Sequence, residues 1–199
     1  SIYMAMCSLF LDRDSVLLVN SYNSGGTWQA YEITEAGGML EAAGYESSGI
    51  QGGENTTLEA WRRLVMGGPN ADVLLFNTSG AENVMNLAKS TTGRTHDIPA
   101  LSRPLALHMI HSFSLHSPSD SGTIGGRWLD RGVYSYVGSC EEPFLHAFLT
   151  PRALVERIVN FVPFLVASRM SKGMMSKPWR LVTIGDPLML IEPPPKRRR

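Results

Sequence analysis

Apolar and polar positions along the chain form short blocks that alternate between strand and helix periods. Residues 15–20, SVLLVN, are a β-branched apolar run followed by Tyr22, Asn23, Ser24, Gly25 and Gly26, the pattern of a buried strand and a turn. Cys7 to Leu11 can pair with that strand as a hairpin through residues 12–14. From Thr27 to Ala43 the spacing predicts a helix with Trp28, Tyr31, Ile33, Met39 and Leu40 facing inward and Gly44 as its stop. Gly37 and Gly38 weaken that helix by about 1 kcal/mol each relative to alanine. Tyr45 to Ile50 reads as an edge strand. Leu58 to Met66 reads as a helix capped by Thr56 or Thr57, with Trp61, Leu64 and Val65 on one side.

Asp72 to Phe76, DVLLF, predicts a buried strand that ends at Asn77, Thr78, Ser79 and Gly80. Ala81 to Lys89 predicts a small helix and Ser90 to Arg103 a polar connector. The remaining core elements are a strand at Leu105 to Ile110, a helix at Thr123 to Asp130 and a strand at Val133 to Val137. A helical stretch at Arg152 to Arg169, split by Pro163, and a strand at Arg180 to Ile184 follow. Strands alternating with helices at these lengths imply right-handed crossovers and a mostly parallel sheet, an α/β fold of the three-layer sandwich kind. The expected organisation is one domain over residues 1–192 and a disordered Pro-rich, basic tail over 193–199.

Composition narrows the partners. With 199 residues and 43% hydrophobic content the chain can bury one sizeable core. Lys plus Arg equals Asp plus Glu at 18 each, but four of the basic residues are Lys196, Arg197, Arg198 and Arg199. Without them the body is acidic, which argues against a nucleic-acid groove. No apolar run reaches the roughly 18 residues of a membrane span. Cys7 and Cys140 have no CxxC or Cys/His zinc spacing, so neither a disulfide framework nor a metal site is expected, and no motif calls for a cofactor. The chain starts at Ser1 without a basic leader, and the expectation is of an incomplete N-terminus with flanking domains of a larger protein.

In a parallel α/β sheet the side chains just past the carboxyl ends of the strands converge on one crevice. That rule gathers Asn77, Ser79, His111, Ser112, Ser114, Ser139, Cys140, Glu141, Glu142 and Asp186. His111 and Cys140 are a candidate pair for nucleophilic catalysis, because a neighbouring imidazole turns a thiol into a thiolate. Each also has a structural reading, as a hydrogen-bonded core histidine and a small buried hydrophobe. Ser112 and Ser114 become nucleophiles only beside a base, and otherwise cap turns. Glu141, Glu142 and Asp186 can hold a cation or a basic ligand if their strands end at one edge. His108 falls inside a strand and reads as a core residue.

The segments ADVLLFNTSG, ALHMIHSFS, GRWLDRG leading into VYSYVGS, EEPFLHAFLTP and the closing strand with IGDPL together resemble the gingipain-like, caspase-fold cysteine peptidases over most of residues 71–190. The resemblance implies a caspase-like sheet with a His-Gly after the third core strand and a cysteine nucleophile after the fourth. This chain has Ser79-Gly80 at the first place and His111-Ser112-Phe113-Ser114 at the second, so the dyad does not carry over. The expected function is a catalytically degenerate peptidase-like domain that binds a protein or peptide ligand or serves a structural role. The rivals are an active cysteine hydrolase using His111 and Cys140, and a cation- or small-ligand-binding domain.

Overall fold

The structure is a computed structural model that describes residue 6 and residues 13–23, 25–169 and 180–194. The hairpin expected at Cys7 to Leu11 and the basic end of the tail lie outside the described residues. The main sheet has six strands: β1 (Ser15–Asn20), β2 (Glu46–Gln51), β3 (Val73–Asn77), β7 (Leu105–Ile110), β8 (Val133–Ser139) and β9 (Leu181–Ile184). Their order is β2-β1-β3-β7-β8-β9, and every pair is parallel except β8 with β9. Three short strands, β4 (Ser79–Ala81), β5 (Val84–Asn86) and β6 (Thr92–Arg94), form a separate antiparallel sheet.

Helices cover both faces of the six-stranded sheet. Alternate residues of each strand project to opposite sides, so Val16 and Leu18 of β1 enter one core while Leu17 and Val19 enter the other. The first core is closed by helices α1 (Thr34–Ala43), α4 (Pro151–Val159) and α5 (Phe164–Ala167). The second is closed by α2 (Leu58–Val65) and α3 (Ile124–Asp130), with Trp61 stacked on Phe76 and edge-on to Trp128. Thr57, Thr123 and Thr150 each cap a helix by accepting a backbone N–H three residues on.

Three local expectations are corrected. The helix expected at Thr27 to Ala43 is a 3-10 turn over Gly26–Tyr31 followed by α1, since Glu32 is extended and breaks the run. The helix expected at Ala81 to Lys89 is instead the β4–β5 hairpin and a short 3-10 turn. Gly80 has φ +151°, and a Cβ there would lie 1.9 Å from the Val84 carbonyl, so the strands approach closely only around glycine. Finally, Asp186 does not share the edge of the other candidates. Two helical passages separated by Pro163 return the chain to the edge it left: Phe164 N–H bonds the Met189 carbonyl, while Arg169 Nη1 reaches the Leu181 carbonyl at 2.6 Å. β9 therefore runs against β8, Ile184 faces Tyr136, and Asp186 lies beside the start of β8.

Candidate functional site

The order of strands reverses between β1 and β3, and the carboxyl edge beside that switch point carries a cleft of about 190 Å³. Trp28, Ile110, Phe144, Leu145 and Phe148 supply apolar walls, and Thr78, Ser79, His111, Ser112 and Glu142 supply the polar groups. Trp28 is held by stacking on Tyr22, centroids 3.6 Å apart. A larger hollow of about 500 Å³ lies between α2 and residues 96–100 at the opposite edge. Its carboxylate, Asp97, is already bound by Arg62 at 2.7 Å and by the Arg94 N–H at 2.8 Å, so that hollow presents a satisfied ion pair rather than converging chemistry.

Ser79 lies two residues past the end of β3 and opens β4. Its hydroxyl oxygen accepts from the Tyr22 hydroxyl and from Asn86 Nδ2 at 3.0 Å, which engages both of its lone pairs. Ser112 follows β7 and donates to Glu142 Oε2 at 2.6 Å. Glu142 is fixed in turn by the Phe144 N–H on Oε1 at 3.0 Å. Between the two serines His111 is buried, and its Nε2 lies 2.8 Å from the Val84 carbonyl. Only a protonated Nε2 satisfies that carbonyl, which assigns the Nε2–H tautomer and leaves Nδ1 as a buried nitrogen without a partner. Burial pushes His111 down to about 4, against smaller opposing effects from the Val84 and Ser112 backbone and the Glu142 charge.

Cys140 is a free, half-buried thiol, and it does not line the cleft. Its Sγ–H donates to the Arg180 carbonyl at 3.3 Å, toward β9, whereas His111 reaches back toward the β4–β5 hairpin beyond β3. The two groups end adjacent strands, as the sequence indicates, but each is bonded on the side away from the other. His116 Nδ1 meets the Cys140 carbonyl at 3.0 Å.

Of the other candidates, Asn77 is buried and donates to the Tyr31 carbonyl at 2.9 Å, a bond that ties the turn after β1 to β3. Ser114 is fully buried and accepts the Ser139 N–H at 3.2 Å, while Ser139 Oγ donates to the His111 carbonyl at 2.5 Å. Glu141 forms an ion pair with Arg180 at 3.0 Å, and Asp186 accepts the Leu188 N–H at 2.9 Å in a turn at the far edge. The three carboxylates are thus not gathered around a common point, and among the described residues no group of three acidic, histidine or cysteine side chains could hold a metal ion.

Four contributors were not visible in the linear pattern. Tyr22 and Trp28 arrive from the segment after β1, and Val84 and Asn86 from the hairpin read as a helix. Met85 and Leu87 are buried with Val84 and Asn86 less so, a period-two signal too short to outweigh the helical reading. Arg180 reaches this edge only because β9 is antiparallel; its Nη1 donates to the Glu142 carbonyl at 2.7 Å.

Comparison with protein-family models, with curated proteins and with solved structures finds no match to this chain. Fold and geometry therefore define its class: an α/β protein with a six-stranded, mostly parallel sheet, and an aromatic-walled cleft at the carboxyl edge beside the switch point.

Proposed function

We propose that the chain is a catalytically degenerate domain of the gingipain-like, caspase-fold type that acts as a binding module through this cleft. One observation carries the reading. Ser79, after the third core strand, and Ser112, after the fourth, line the same cleft, at the two places where the resemblance puts a base and a nucleophile. Neither is the residue type the resemblance implies there, a histidine base and a cysteine nucleophile. Ser79 cannot act as a base, and its oxygen is engaged by Tyr22 and Asn86. The imidazole at the cleft is held by a carbonyl and by burial in its neutral, weakly basic form. A volume of about 190 Å³ is below the roughly 300–1,000 Å³ of pockets that engulf a drug-sized ligand. It suits one side chain of a protein or peptide ligand.

A hydrolase reading is favoured by a different contact, Ser112 Oγ–H on the Glu142 carboxylate, which gives one cleft hydroxyl a base. The original rival, Cys140 activated by His111, has no such contact. Treating the folded protein with a fluorophosphonate and with a thiol-reactive peptidyl probe separates all three. The module leaves Ser112 and Cys140 unlabelled and shows no peptidase turnover. Labelling of Ser112 that disappears in Glu142→Gln establishes the serine hydrolase, and labelling of Cys140 that disappears in His111→Ala establishes the cysteine hydrolase.

A further inference from the structure

Strand β2 is an outer strand of the sheet, and its bonding pattern can be read from its ends. The Glu46 N–H bonds the Asp14 carbonyl and the Gly52 N–H bonds the Asn20 carbonyl, both on the β1 side. In a parallel ladder the backbone groups of successive residues alternate direction. Residues 46, 48 and 50 therefore bond to β1, and the N–H and C=O groups of Ser47, Gly49 and Gln51 point away from the sheet. No described strand pairs with them. Exposed edges of this kind are usually protected by lysine, proline or a bulge; β2, ESSGIQ, has none of these.

The same three residues form one wall of a groove of about 390 Å³ whose other wall is α1. Three of the eight lining positions are glycine, which leaves the groove open. Gly37 and Gly38 sit inside α1, where each costs helix stability; on β2, Ser47 lies across from Gly37 and Gly49 lies across from Ile33. A Cβ on Gly38 would meet nothing within 4 Å, so glycine there is required by neither backbone angle nor crowding. Charge narrows what the occupant is. Glu41 lines the groove and has no salt-bridge partner among the described residues, whereas Glu35 on the same helix is paired with Arg152.

We infer that β2 is a strand-addition site for an extended segment of a partner polypeptide. The segment pairs its backbone with Ser47, Gly49 and Gln51, seats a side chain in the open space above Gly38, and carries a lysine or arginine beside Glu41. Main-chain pairing supplies affinity in this mode, and the alternate side chains supply selectivity. The site is separate from the carboxyl-edge cleft and does not depend on it.

The probe is a phage-displayed library of random linear peptides, with enriched sequences remade as labelled peptides and titrated by fluorescence anisotropy. Enriched peptides are expected to contain Lys or Arg and to bind the wild-type chain. Gly49→Pro removes one outward N–H and no bond to β1, and is expected to weaken binding at least about tenfold, of the order of one hydrogen bond and its neighbours. Gly38→Leu fills the groove while favouring the helix, and is expected to weaken binding similarly in a protein that melts no lower than wild type, which covers the case in which Gly49→Pro fails to fold. Glu41→Gln is expected to weaken binding and flatten its salt dependence. The inference is overturned if no peptide is enriched, or if the enriched peptides bind Gly38→Leu and Gly49→Pro as they bind wild type. It is equally overturned if the chain forms a dimer that Gly49→Pro abolishes, since the edge then belongs to a second copy.

Discussion

His108 and His111 are one strand-turn apart and share a physical state for different reasons. His108 lies within β7, fully surrounded, edge-on to Phe148 with centroids 6.2 Å apart, while His111 caps the strand and donates to Val84. Burial pushes both imidazoles down to about 4, the backbone contacts opposing it only in part. In the unfolded chain each titrates near 6.5. Between those two values the unfolded state binds more protons, so the contribution of the neutral imidazoles is complete above about pH 6.5 and is lost as the pH falls toward about 4. Urea unfolding across that range is expected to show stability dropping with pH, and the drop is expected to be smaller in a His108→Gln, His111→Gln variant. An equal drop in both proteins would mean that carboxylates alone carry the acid sensitivity. Residue-scale reading of the sequence placed His108 in the core and His111 at the strand exit, but it could not see which atom each ring would bond. That depends on Val84, which reaches the site from a segment whose hairpin was hidden.

The elements were legible wherever one period dominated. β1, β3, β7, α2 and α3 fall where apolar spacing predicts them, because each buries a whole face or a whole stripe. Residues 81–89 failed that test: three-residue strands offer too few alternations, and the decisive feature is a backbone contact at Gly80 that only three-dimensional proximity reveals. The direction of β9 was also hidden. Pro163 was correctly read as a break, but a break that returns the chain to the same sheet edge looks identical in sequence to one that does not. Among the elements α3 has the clearest energetic role. Trp128 on it is fully buried against Trp61 and the second core, so Trp128→Ala is expected to cost about 3–5 kcal/mol in chemical denaturation. A loss under about 1 kcal/mol would show that α3 is not anchored by this ring.

Across the whole molecule the three layers place chemistry by direction alone. Parallel strands deliver Thr78, Ser79, His111, Ser112 and Glu142 to one edge, and the antiparallel β9 removes Asp186 from it while adding Arg180. The position of this cleft was therefore largely readable from strand order, and the bonding of its polar groups was not, since that rests on hydrogen-bond partners contributed by Tyr22, Asn86 and Val84. Ser112 is the member of the 112–114 turn that lines the cleft, whereas Ser114 is spent on the Ser139 N–H. If the cleft is a peptidase site that has lost its base and nucleophile, restoring both should restore reactivity there. The direct measurement is the rate at which a thiol-reactive peptidyl probe labels position 112 in Ser112→Cys alone and in Ser79→His combined with Ser112→Cys. The account requires the double variant to be labelled much faster than the single one, with wild type unlabelled. Equal rates in the two variants, or His111-dependent labelling of Cys140 in the wild type, would contradict it.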